Sequence, residues 1–245
     1  MKIDVLTLFP DLFDDFEKWS IVGRTIEKGL CTLNKVDIRE FSKDKHKRVD
    51  DYPYGGGPGM VMRPEPIYEA ISSVRRDNSM VIYLSPQGYN YNQDLANFLS
   101  KKEHLILLCG HYEGIDNRII DNYVDLEISI GDYVLTGGEI PAMVIIDSIV
   151  RLLPGALSNE ESVVNESHYN GLLEYPQYTR PRIFNGLSVP EVLLSGNHKK
   201  IEEWRMYKAI EATYIKRPEL LDKRLLTDIE IKILEDIKGK IMDKN

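Results

Sequence analysis

Three short apolar runs, residues 80–84, 105–109 and 124–130, each give way at once to glycine or proline and then to a helical stretch. That punctuation constrains the fold more than any other feature of the chain. Apolar runs this short read as strands buried on both faces, and strands that alternate with helices pair in parallel. Residues 3–9 supply a further strand candidate, and residues 32–41 alternate as another. Helices fit residues 21–28, ended by Gly29, and residues 65–75, entered through Arg63-Pro64. Residues 138–153 close the series, with Pro141 tolerable because it falls in the first helical turn. The pattern predicts a mainly parallel α/β sheet covered by helices on both faces. Such sheets hold their ligands at the carboxyl ends of the strands.

The pattern breaks at residues 158–170, a polar, turn-rich stretch that reads as a linker, expected to be mobile in the free protein. Beyond it no strand is convincing. Residues 201–215 and 227–241 carry apolar side chains at helical spacing, with Trp204, Tyr207 and Ile210 on one face. The predicted organisation is therefore an α/β domain over 1–157, a linker over 158–170 and a small α-helical C-terminal domain over 171–245. A length of 245 residues suits this, and 42% hydrophobic with 29% charged side chains excludes a disordered chain. Cys31 and Cys109 lie far apart in apolar runs, which predicts buried free thiols rather than a disulfide framework or metal cluster. Asp4 interrupts any signal-peptide core, and the longest apolar stretch, 140–153, is short and holds Asp147 and Arg151. The expectation is a soluble cytoplasmic protein with no membrane partner.

A formal net charge of −8 argues at first against a nucleic-acid partner. The sum hides an asymmetry: residues 1–170 hold 17 basic and 27 acidic side chains, residues 171–245 hold 14 and 12. Lys43, Lys45, Lys47 and Arg48 form a local basic run flanked by Tyr52 and Tyr54, suited to phosphates with aromatic surface nearby. Arg180 and Arg182 add cations in the tail.

Four glycine loops stand out: Tyr54-Gly55-Gly56-Gly57-Pro58-Gly59-Met60, Ser85-Pro86-Gln87-Gly88, Gly110-His111-Tyr112-Glu113-Gly114-Ile115-Asp116, and the loop running from Gly131 to Glu139. The last three follow predicted strands, which favours one shared site. No Gly-x-Gly-x-x-Gly follows the first strand and no Walker loop exists, so neither dinucleotide nor triphosphate chemistry is indicated. The five histidines show no metal spacing, and His104 reads as a structural residue. Glu113, Asp116 and Glu166 are the carboxylates near the loops, and Arg151 precedes Pro154-Gly155. This inventory suits positioning of two reactants and removal of a proton. On spacing alone, Arg151 reads first as a helix-terminal charge and Glu166 as a solvated linker acid.

The loop Gly110-His111-Tyr112-Glu113-Gly114-Ile115-Asp116-Asn117-Arg118, together with Ser129-Ile130-Gly131-Asp132-Tyr133-Val134-Leu135-Thr136-Gly137-Gly138-Glu139, closely resembles the TrmD family of bacterial tRNA (guanine-N1)-methyltransferases, of the SPOUT class. Asp4-Val5-Leu6-Thr7-Leu8-Phe9-Pro10, Arg151-Leu152-Leu153-Pro154-Gly155 and the run from Gly171 to Pro181 match in the same order, so the resemblance spans nearly the whole chain. It loosens over the last forty or so residues. The resemblance implies a SPOUT-type sheet with a trefoil knot and S-adenosylmethionine bent within it. By residue-wise match the cofactor pocket is Leu84, Ser85, Pro86, Gly110, Tyr112, Glu113, Ile130, Gly131, Asp132, Tyr133, Val134, Leu135, Gly137, Gly138 and Pro141. The implied substrate is the tRNA guanosine 3′ of the anticodon (position 37), methylated at N1 by a homodimer with shared active sites. Family behaviour adds a Mg²⁺ requirement, for which the sequence shows no ion site.

In that family an aspartate in an Asp-Ser-Phe segment usually takes the N1 proton and an arginine stabilises charge on O6. Arg151 matches the arginine, and the base position falls on Glu166, followed by Ser167-His168. Glutamate replaces aspartate and histidine replaces phenylalanine. The extra methylene of Glu166 calls for a shifted backbone or another rotamer. Two other readings are a SPOUT enzyme acting on a ribose hydroxyl or another base, and a non-catalytic RNA-binding dimer that senses the methyl donor. The retained acid and arginine and the helical tail speak against both.

Overall fold

The computed structural model describes residues 1–157, 167, 171–222 and 224–242. The chain divides into two units, Met1–Ser158 and Asn159–Asn245. The first is built on a five-stranded sheet of β1 (Lys2–Thr7), β2 (Thr32–Asp37), β5 (Ser79–Asn90), β6 (His104–Cys109) and β7 (Leu126–Ser129), in the order β2-β1-β6-β5-β7. Every pairing within it is parallel. A two-residue antiparallel pair, β3 (Asp50–Asp51) with β4 (Val61–Met62), lies outside the sheet.

The helices are α1 (Phe13–Phe16), α2 (Ser20–Glu27), α3 (Pro64–Val74), α4 (Gln93–Ser100), α5 (Asn117–Tyr123) and α6 (Glu139–Val150). The two-residue period of β6 divides them between two layers. Leu105, Leu107 and Cys109 point into one core with Ile145, Ile146 and Ile149 of α6. Ile106 and Leu108 point into the other, with Ile67 and Ile71 of α3 and Ile119 of α5. All six residues of β6 are buried, as a central parallel strand requires. Both cysteines are buried free thiols, and burial raises the Cys31 thiol to about 11. His104 is satisfied on both nitrogens, by Asp4 at 2.6 Å and Ser79 at 2.7 Å.

Some element bounds differ from the sequence reading. The strand expected to reach residue 41 stops at Asp37, whose carboxylate accepts the Arg39 N–H and turns residues 38–41 into a 3₁₀ helix. The strand expected to end at residue 84 runs on to Asn90 through an irregularity between Leu84 and Tyr89. Gly88 makes that crossing possible, since a Cβ there would meet the Ile128 backbone nitrogen at 2.4 Å.

The second unit holds helices Glu191–Leu194, His198–Lys216, Glu219–Asp222 and Asp228–Met242 around a core of Leu172, Ala209, Ile210, Leu221 and Ile237. Trp204 meets Tyr178 in a tilted ring contact, with centroids 6.3 Å apart. Contrary to the strand-free expectation, a small hairpin pairs Ile183–Phe184 with Leu187–Ser188. Its turn is Asn185-Gly186, both at positive φ, which is the strongest short-range hairpin signal in a sequence. The linker expected over 158–170 lies, apart from Ser167, outside the described residues. Among the described residues no helix is long and apolar enough to cross a membrane.

Candidate active site

The irregular Ser85–Gly88 stretch inside β5 and the glycine loops after β6 and β7 converge at the carboxyl edge of the sheet, around a cleft of about 230 Å³. Leu84, Ser85 and Pro86 come from the irregularity in the middle of β5, and Gly110, Tyr112 and Glu113 from the loop after β6. Ile130, Gly131, Tyr133, Val134, Leu135 and Gly137 form the opposite wall, and Pro141 of α6 closes the floor. Two sequence-predicted members stand apart from it. The lining excludes Asp132, which is exposed, and Gly138, which is buried beneath. Gly138 packs on β6, where a Cβ would come within 2.6 Å of the Cys109 Cα.

The sequence reading missed Tyr83, Gln87, His111, Gly114, Ile128, Ser129 and Thr136, which also line the cleft. Tyr83 backs Gly110 so closely that a Cβ there would meet its ring at 2.8 Å. Burial, helped by Glu127, pushes the Tyr83 phenol up to about 12, so it stays a neutral hydroxyl. Tyr112 holds a positive φ of 59°, rare for a bulky residue, and so holds its half-exposed ring at the mouth of the cleft. The loop from Gly55 to Gly59 is stitched to the same edge: Glu113 N–H donates to Met60, and Met62 N–H to Gly114. A Cβ on Gly59 would lie 2.5 Å from Glu113 Cγ, so this glycine gives the Glu113 side chain its room.

Beneath the cleft, Glu139 opens α6 with its carboxylate nearly buried, at 4% exposure. Thr7 Oγ1 donates to Oε1 at 2.6 Å, and His111 Nε2 donates to Oε2 at 2.8 Å. Phe9 N–H donates in turn to Thr7 Oγ1, and the Phe9 ring leans on His111 with centroids 5.0 Å apart. No spacing signal in the sequence links residues 7, 111 and 139. Only the β1–β6 pairing and the return of the chain to α6 bring them together.

The other candidates lie elsewhere. Asp116 caps α5, accepting from the Arg118 N–H, and the Arg118 guanidinium holds its carboxyl below the usual value. Arg151 is the C-terminal residue capping α6, about 15 Å along the helix from Pro141, and does not line the cleft. Glu166 lies outside the described residues. Lys43, Lys45, Lys47 and Arg48 are all exposed in the first unit, with Lys47 paired to Glu40 and Arg48 to Asp44. Arg180 and Arg182 are exposed in the second, with Arg182 paired to Glu191. Among the described residues no group of three or more His, Cys, Asp and Glu side chains is placed to hold a metal ion.

A parallel sheet flanked by helices, with a cleft at its carboxyl edge formed by loops of neighbouring strands, places the chain in the α/β class. Within that class the chain belongs to the tRNA (guanine-1)-methyltransferase TrmD family, whose sequence model matches residues 1–223. A tRNA (guanine-N(1)-)-methyltransferase of Ruminiclostridium cellulolyticum is 61% identical over 226 residues, covering 91% of this chain and 97% of the relative. The proteins of that name from Dictyoglomus turgidum and Fusobacterium nucleatum are 52% and 54% identical, covering 100% and 97% of this chain and 99% and 98% of their own lengths.

Proposed function

We propose that this chain is a tRNA (guanine-N1)-methyltransferase that moves a methyl group from S-adenosylmethionine to N1 of the guanosine 3′ of the anticodon. The observation that carries the reading is the convergence of three glycine loops on one cleft, in a chain matched by the family over residues 1–223. The cleft's chemistry fits the donor. Leu84, Ile130, Leu135 and Pro141 would offer apolar walls to an adenine ring, the loops' backbone groups could serve its polar edges, and Glu113 would offer a carboxylate to a cation. S-adenosylmethionine, when bound there, supplies an electrophilic methyl carbon.

The chain's own residues then answer one difficulty. Guanine N1 carries a proton and attacks poorly until it is lost. Glu166 takes that proton, and the Arg151 guanidinium stabilises the negative charge that develops on O6. Because Arg151 sits at the far end of α6 from its own cleft, a second copy supplies it. This favours a homodimer with shared sites. Ile140 and Val144, 56% and 41% exposed on α6, offer apolar surface for such pairing. The trefoil knot belongs to the same reading. After β7 the chain returns across the end of β5, and Gly138 N–H donates to Gly110 C=O at 3.0 Å.

In this reading residues 1–157 hold the methyl donor, 158–170 carry the base, and 171–245 grip the tRNA in the cytoplasm. Lys43, Lys45, Lys47, Arg48, Arg180 and Arg182 meet RNA phosphates. The test is incubation with labelled S-adenosylmethionine and unmodified tRNA, followed by digestion to nucleosides. 1-Methylguanosine is the expected product, and a label found only in another nucleoside or in ribose overturns the reading.

A further inference from the structure

We infer that His111 and Glu139 are positioning residues that set the affinity of the cleft for the methyl donor, by latching the loop over residues 131–138 to the loop after β6. The inference rests on the methyl-donor reading of the cleft. His111 lines the cleft, whereas Glu139 lies beneath it, so the hydrogen bond at 2.8 Å joins the ligand wall to the first turn of α6. Glu139 is held from the other side by Thr7 of β1 at 2.6 Å, with Phe9 N–H behind it. Both carboxylate oxygens are thus partnered, one by the last residue of β1 and the other by the loop after the neighbouring strand β6, and the N-terminus of α6 favours the negative charge.

The loop is clamped where this bond forms. Gly137 pairs with His111 in an isolated antiparallel bridge, and Gly138 N–H donates to Gly110 C=O at 3.0 Å. A Cβ on residue 137 would stand 2.2 Å from His111 Nε2 and 2.6 Å from Glu139 Oε2. Gly137 is therefore required for space, because the backbone rests directly on the latch. The same loop presents Tyr133, Val134 and Leu135 to the cleft. With the latch broken, the ligand must order that wall as it binds, and its apparent affinity falls by the fraction of time the wall is closed. Neither side chain needs to touch the transferred methyl or the guanine for this to happen.

The experiment compares the full-length wild-type protein with His111→Leu, His111→Gln and Glu139→Gln. S-adenosylhomocysteine binding is measured by calorimetry, loop exchange by hydrogen–deuterium exchange over 131–138, and tRNA methylation by steady-state kinetics. His111→Leu is expected to weaken binding about tenfold or more, the size of one charge-assisted hydrogen bond, with KM for the donor rising in step and kcat falling much less. Loop amides exchange faster in the unliganded protein. His111→Gln, which keeps a donor within reach, recovers most of the affinity. Glu139→Gln keeps the volume and loses affinity less than His111→Leu, and it serves as the readout if His111→Leu does not fold. Unchanged binding in both His111→Leu and Glu139→Gln, or a fall in kcat with KM untouched, overturns the latch. A wild-type protein that binds no S-adenosylhomocysteine overturns the methyl-donor reading instead.

Discussion

Pro141 and Arg151 occupy opposite ends of α6, so the helix that closes the floor of the cleft carries the arginine about 15 Å away from it. A helix with Ile145, Ile146 and Ile149 locked in the core does not bend to bring the two together. If each site takes its cleft from one protomer and Arg151 from the other, two inactive variants complement one another. Arg151→Ala mixed with a cleft variant such as Gly110→Val, after unfolding and joint refolding, is expected to recover up to about a quarter of wild-type activity. Half of the randomly formed dimers are mixed, and one of their two sites is intact. Recovery no greater than the sum of the two variants alone contradicts a shared site.

The base is tested by Glu166→Gln, which removes proton acceptance while keeping the length of the side chain. Turnover on tRNA is expected to fall about 10²-fold or more, with S-adenosylhomocysteine binding retained. Near-normal turnover removes Glu166 from the role. Glu166→Asp, restoring the family's usual residue, is expected to stay active.

Gly137→Ala tests a steric demand. The added Cβ would sit 2.2 Å from the His111 ring, and overpacking of this kind costs about 1–3 kcal/mol. Thermal unfolding is expected to shift down, and donor binding to weaken. Gly56→Ala offers the contrast, because a Cβ there meets nothing within 4 Å and only its positive φ is strained. Equal effects at both positions in donor binding contradict the account of Gly137.

Asp4 governs an acid-dependent part of stability. Burial alone raises its pKa, but hydrogen bonds from Lys2, Asn34 and His104 outweigh that and hold it below the ordinary carboxylate value. A depressed folded pKa gives stability that is complete above the unfolded value, about 4, and lost as pH falls through the folded one. Melting temperature is therefore expected to drop below about pH 4 in the wild type, and less steeply in Asp4→Asn. Parallel pH profiles for the two proteins count against this role.

The sheet was legible because apolar runs bounded by glycine state their own length, as at residues 105–109. The cleft was legible as a set of loops, since Ser85, Gly110 and Gly137 each follow or precede a predicted element. What stayed hidden depends on pairings that no local pattern encodes. Thr7, His111 and Glu139 meet only after β1 and β6 pair and the chain comes back across the sheet. Asp116 looked like a site carboxylate because it sits in a glycine loop, whereas its position before α5 makes it a helix cap. The hairpin at Asn185-Gly186 was legible and went unread, because the two strands beside it are only two residues long.

In the proposed reaction the methyl group goes to N1 of the guanosine 3′ of the anticodon. The most direct measurement is mass-spectrometric mapping of nuclease fragments from an unmodified tRNA transcript after reaction with the full-length protein and S-adenosylmethionine. The account predicts one added methyl, on the fragment holding that guanosine and identified as 1-methylguanosine, and none when adenosine replaces it. Methylation at another nucleotide, or undiminished methylation of the adenosine transcript, contradicts it.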